Sequence, residues 1–144
     1  MAVCLELYNY HIREAQKFNR KLESESYEHE AFLQIEAFHI ASAYNFILKS
    51  ICIIEGFGLQ SRDTSKLLDF LKEHSKNKNI LNIDFLQQLD YDTQNWISDY
   101  NKYGKISNVC ASQCKFYLQS LEGIAEAYNK EYILNEVVIT DKVV

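Results

Sequence analysis

Glu36–Ala37–Phe38–His39 carries the most explicit chemistry in the chain, because Glu-x-x-His on one helix offers two metal ligands to the same side. A di-iron bundle needs a second copy from a facing helix, yet Tyr8, Ser26 and Leu71 stand three residues before the other histidines. His39 is therefore expected to be a core histidine with one hydrogen-bond partner, and neither a metal site nor a cofactor is expected. Cys52 and His39 are thirteen residues apart on one predicted helix. That spacing is nearly 20 Å, at about 1.5 Å per residue, too far for a thiolate–imidazole dyad. Cys114 with His39 stays geometrically open without other support. Cys110 and Cys114 lie four apart and share a helical face, where ordinary core thiols are expected, as at Cys4 and Cys52. Their spacing is not that of a zinc knuckle. No Gly-x-Ser-x-Gly elbow or glycine-rich phosphate loop occurs. The acids Glu23, Glu25, Glu28 and Glu30 read as a solvated helix start. No catalytic residue is assigned.

Cations and aromatics supply the remaining candidates. The stretch Arg62–Lys78 holds five basic residues against three acids and is the one mildly cationic segment. The chain has ten tyrosines, eight phenylalanines and one tryptophan. Tyr8, Tyr10, Tyr91, Tyr100 and Tyr103 would stack bases if they stood beside cations. At helical spacing, however, they are expected to complete a core edge or an oligomer interface.

Four glycines and no proline in 144 residues favour a few long helices over a turn-rich β fold. Apolar residues recur at Leu5, Tyr8, Ile12, Ala15 and Phe18, predicting a first helix over about Ala2–Glu23. Ser24 or Ser26 can cap a second, about Tyr27–Glu55, with Phe32, Ile35, His39, Ala43, Phe46, Ile47 and Ile54 on its apolar face. Gly56 and Gly58 stop it. After the connection Phe57–Arg62, Asp63, Thr64 or Ser65 can cap a short third helix holding Leu67, Leu68, Phe70 and Leu71. The polar stretch Ser75–Asn82 reads as a loop. A fourth helix, about Asp84–Tyr103, carries Phe85, Leu89, Trp96, Tyr100 and Tyr103 on a stripe and ends at Gly104. Ser107 can cap a fifth, about Asn108–Lys130, with Cys110, Cys114, Tyr117, Leu118, Leu121, Ile124, Ala125 and Tyr128 inward.

The expected fold is all-α: an up-and-down bundle of about five helices over residues 1–130. Residues 131–144 form a C-terminal tail, either an extended arm or a frayed end, since Val137, Val138 and Ile139 continue no stripe. A chain of this size supports one real core without disulfides. Apolar residues at 47% and charged residues at 24% are ordinary globular composition. A net charge of −5 disfavours a general nucleic-acid binder. Lys49 and Glu55 punctuate the most apolar segment, and the N-terminus has no basic start or cleavage site. A cytoplasmic location with no membrane contact is expected.

Three blocks within about residues 30–128 resemble the HEPN family. Ala43–Tyr44–Asn45–Phe46–Ile47–Leu48–Lys49 is similar to that family's Ala-x-Glu-x-x-x-Lys on the second helix, with Asn45 at the glutamate position. Arg62–Asp63–Thr64–Ser65–Lys66–Leu67–Leu68 is similar to its His-Asp-Leu-x-x-Leu-Leu, with Arg62 replacing histidine. Lys102–Tyr103–Gly104 falls where many members have Arg-Tyr-Pro. The RNase branch resembles an Arg, four to six residues, then His arrangement. Here Arg13, Arg20 and Arg62 have no histidine five to seven residues on.

The resemblance therefore implies a HEPN-like bundle without the nuclease motif. It implies a module that binds a partner protein, such as a nucleotidyltransferase or a toxin–antitoxin partner, or a nucleotide-bearing ligand. The candidate ligand-binding residues are Lys49, Arg62, His74, Lys102 and Tyr103. A homodimer is expected from the same resemblance, the aromatic excess suiting an isologous interface. RNA is not favoured. The alternative is a divergent RNase acting on RNA through Arg62, His74 and Lys102, which requires those three to converge in one cleft, directly or across a two-fold axis.

Overall fold

The computed structural model describes residues 2–23, 29–59 and 61–143, with side chains described for 4–21, 30–59 and 61–129. Six helices run in the order α1 (Ala2–Glu23), α2 (His29–Ile54), α3 (Thr64–His74), α4 (Lys78–Leu81), α5 (Ile83–Tyr103) and α6 (Ala111–Val143). There is no strand among the described residues. The all-α bundle expected from the sequence is the observed fold.

Cross-helix contacts set the directions. His11 meets His39 while Asn19 meets Glu36, so α1 and α2 are antiparallel. Tyr44 bonds Asp90 while Gln34 bonds the Ile106 backbone just beyond α5, so α5 is antiparallel to α2 as well. Four long helices thus go up and down, with α3 and α4 carried in the connection from α2 to α5.

Helix α2 is the centre, packing against α1, α3, α5 and α6. Ala37, Ile40, Ala43, Tyr44, Leu48, Ile51 and Cys52 are essentially inaccessible. Several neighbours require several apolar faces, so α2 is apolar around most of its circumference. Over Glu30–Ile54 it even reaches the length and composition of a membrane span, half of it buried inside the fold. Lys49 sits toward one end of that run and Glu55 just beyond it, so they do not divide it, contrary to the sequence expectation.

Two carboxylates, a buried Asp90 and a half-buried Glu55, lock the smaller elements to this centre. Asp90 on α5 accepts from the Tyr44 hydroxyl at 2.8 Å and the Ser65 hydroxyl at 2.7 Å, joining α2, α3 and α5. Burial, followed by the nearby Asp90 charge, holds the Tyr44 phenol well above its ordinary range, so it remains a donor. Glu55 accepts from Ser75 Oγ at 2.8 Å, the Lys76 backbone N–H at 3.0 Å and Tyr128 Oη at 2.8 Å. That carboxylate joins the end of α2 to the turn after α3 and to α6.

The caps follow local chemistry. Asp63 accepts from the Ser65 N–H at 2.9 Å, as an N-cap should. Gly104 takes φ 68° and returns its N–H to the Tyr100 carbonyl. Three expectations are corrected. The stretch 75–82 is not only loop: a single turn, α4, buries Leu81, and Asn82 at φ 52° ends it while its side chain caps α5. The final helix begins at Ala111 rather than near Asn108, because Asn108 is left-handed and Ile106 is buried. Gln34 holds Ile106 in place from both sides, donating to its carbonyl at 2.8 Å and accepting its N–H at 2.6 Å. Finally, α6 runs on to Val143 where an extended or frayed tail was expected. No glycine or proline interrupts it after Gly123, so backbone propagation continues. The expected caps Ser24 and Ser26 lie outside the described residues.

Leu48→Ala would open a cavity at a fully buried position on α2. It should cost about 2–5 kcal/mol of unfolding free energy, measured by denaturant titration.

Candidate functional site

On one face of the bundle, α2 and α5 diverge enough to leave two adjoining cavities. Residues 34, 38, 41 and 45 recur at three- and four-residue steps along α2, and 94, 97 and 101 do so along α5, so each set forms a stripe toward the other helix. The larger cavity, about 890 Å³, is mostly apolar and closes at one end on the loop Gly104–Lys105–Ile106. Four of its large side chains are more than a third exposed: Ile35, Phe38 at 57%, Ile97 at 48% and Tyr100 at 60%. Lys105 pairs with Glu30 across its mouth.

The smaller cavity, about 420 Å³, shares Phe38, Ala41 and Ile97 with the larger and is continuous with it. Its other walls are mostly polar: Ser42 and Asn45 from α2, Arg62 and Asp63 just before α3, Thr64 at its start, and Gln94 from α5. Gln94 donates to Thr64 Oγ at 2.8 Å, fixing that wall. Asn45 and Arg62, the substituted positions of two sequence blocks, thus come together in space.

The other expected residues lie elsewhere. Lys49 is half-buried with its ammonium 5.6 Å from the Phe46 ring centroid, and it lines neither cavity. His74 sits at the far end of α3, against Phe70 at 4.5 Å and Phe57 at 6.4 Å between centroids, and 3.6 Å from Glu73. The length of α3, roughly 15 Å from Thr64 to His74, separates it from Arg62, so the two do not share a cleft within one chain. Lys102 and Tyr103 are exposed beside the larger cavity without lining it.

Phe38 and Ile97 have no role in the sequence reading. Ile35, expected on the apolar face of α2, and Tyr100, expected at a core edge or an oligomer interface, both line the groove. Helical spacing places a residue on a face without stating whether the neighbouring helix closes over it. Cys110, also expected inward, is exposed immediately before α6, whereas Cys114 is buried. The Ser112 hydroxyl and nearby backbone N–H groups lower the Cys110 thiol pKa.

Glu36 and His39 do not converge. Glu36 faces α1 and α6, accepting from Asn19 Nδ2 at 2.8 Å, while its Oε2 has no partner among the described residues. His39 bonds His11 at 2.8 Å, the single partner expected of it. No group of three or more His, Cys, Asp or Glu able to hold a metal ion occurs among the described residues. Comparison with known families, with characterised proteins and with solved structures found no match to this chain.

Burial pushes the Glu36 carboxyl up to about 7 from its ordinary 4.5. The native state keeps this proton where the unfolded chain has lost it. The stabilisation is full below pH 4.5 and disappears as pH rises through about 7. Glu36→Gln, a neutral isostere, should match wild type near the low end. It should gain roughly 1–2 kcal/mol above the upper one, read from unfolding curves across pH.

Proposed function

We propose that the chain is a non-catalytic helical module that binds a partner protein in the α2–α5 groove. The observation that carries this reading is the convergence of Ile35, Phe38, Ile97 and Tyr100 on one open apolar trough. Contiguous exposed apolar surface of this kind marks interaction sites. A trough between two helices suits an amphipathic helix that inserts alternate apolar turns. The HEPN resemblance suggests the partner class, a nucleotidyltransferase or a toxin–antitoxin partner. It also suggests a homodimer, and the sequence expectation of a cytoplasmic location is kept with it.

A nucleotide-bearing ligand is the second reading, favoured by the smaller cavity. There Arg62, which has no ion-pair partner among the described residues, stands with Asn45, Ser42 and Gln94 beside Phe38. An arginine fork suits phosphate and an exposed phenylalanine suits a base. The RNase alternative has less support: Arg62 and His74 lie at opposite ends of α3, so their convergence requires two chains.

Ile97→Glu tests the main reading. Position 97 is half exposed, so the charge should leave thermal stability within about 0.5 kcal/mol of wild type. In co-purification from the source cell, the identified partner should bind the variant at least about tenfold more weakly, the usual scale of a lost anchor. Equal capture by wild type and variant contradicts the groove.

A further inference from the structure

His11 on α1 and His39 on α2 meet Nδ1 to Nδ1 at 2.8 Å. A hydrogen bond between these atoms needs one proton on the pair, since one nitrogen must donate and the other accept. Protonating both rings puts an N–H on each nitrogen and replaces attraction with repulsion between two cations.

The surroundings make that second proton hard to accept. His11 stacks on Phe46 at 5.7 Å and 7°, and His39 stacks on Phe18 at 6.3 Å and 14°. Each of those phenyl rings also holds a lysine: Lys49 Nζ is 5.6 Å from the Phe46 centroid and Lys21 Nζ is 5.0 Å from that of Phe18. Each imidazole is thus stacked on a ring that also has a lysine ammonium over it. Tyr10 meets both rings edge-on from α1. Glu14, also on α1, favours protonation of both histidines, whereas a charge on His11 disfavours one on His39. Helix α6, which packs along α1 and α2, directs Glu122 to Gln16 instead. Burial is the largest influence, and it lowers both imidazoles below their ordinary 6.5. The neutral pair thus contributes stability above pH 6.5, and that contribution is lost as pH falls below it.

Phe38 links this pair to the groove. Its ring stands edge-on to His11 at 6.2 Å and to His39 at 5.2 Å, while it lines both cavities. We propose that His11 and His39 form an acid-released latch between α1 and α2, and that its release displaces Phe38 and so reshapes the groove. The bearing on partner binding rests on the groove reading above; the latch and the Phe38 movement do not.

The test uses the full chain with no partner present, so it reads the latch even if the groove binds nothing. Amide exchange is measured by NMR at about pH 7.5 and about pH 5, divided by intrinsic rates, with ring-labelled phenylalanine followed in parallel. In wild type, amides of residues 4–18 should lose about tenfold protection relative to α5 at the lower pH. The Phe38 ring signals should move along the same titration. His39→Gln, or His11→Gln should the first not fold, should abolish both effects. The proposal fails if α1 protection does not change with pH, if the glutamine variant keeps the change, or if Phe38 stays still while the histidines titrate.

Discussion

The fold depends on enclosing one helix. α2 is buried against four others, and a helix so surrounded cannot leave a polar group in its inner faces without a partner. Tyr44 meets Asp90, Glu55 meets Ser75, Lys76 and Tyr128, and Ser50 returns its hydroxyl to the Phe46 carbonyl at 2.9 Å. These bonds stabilise more than α2 alone, because each also positions a neighbour. Asp90 sets how α3 lies on α5, and Glu55 sets where the chain turns after α3. Glu36 is the exception, a fully buried carboxyl with one oxygen unbonded, and it answers by keeping its proton toward neutral pH.

The groove is the consequence of the same enclosure. Where α2 is covered by α1, α3 and α6, its apolar residues vanish from the surface. On the side toward the end of α5 the covering stops short, because Gly104 ends that helix and Gln34 draws Ile106 back across α2. Ile35, Phe38, Ile97 and Tyr100 are left lining an open trough. The polar pocket beside it forms because Asp63 caps α3 there, bringing Arg62 and Thr64 to the side of Asn45. Phe38 belongs to both cavities and touches the histidine pair behind them, so one side chain joins the groove to the α1–α2 seam.

Much of this was legible from residue types. Ala15, Ile12 and Tyr8 marked the buried face of α1, Asp63 and Gly104 marked helix ends, and the 3–4 spacing of Cys114, Tyr117, Leu118 and Leu121 marked the core face of α6. What escaped depended on distant partners. The turn α4 forms where lysines and asparagines suggest a loop, because Leu81 finds a pocket that only the assembled bundle supplies. Asn108 delays α6 through a left-handed backbone that asparagine tolerates but does not announce. The three sequence blocks scatter for a similar reason. Asn45 and Arg62 meet because α3 begins beside α2, whereas His74 is carried away along its length.

On the proposal made above, the α2–α5 face, and not the rest of the surface, receives a partner. Site-specific photocrosslinking in the source cell tests it most directly, with Phe38→p-benzoylphenylalanine compared against the same substitution at Tyr91. Tyr91 is 65% exposed and lines neither cavity. The groove account predicts one discrete crosslinked protein from position 38 and none from position 91. Equal products from both positions, or none from position 38, would contradict it.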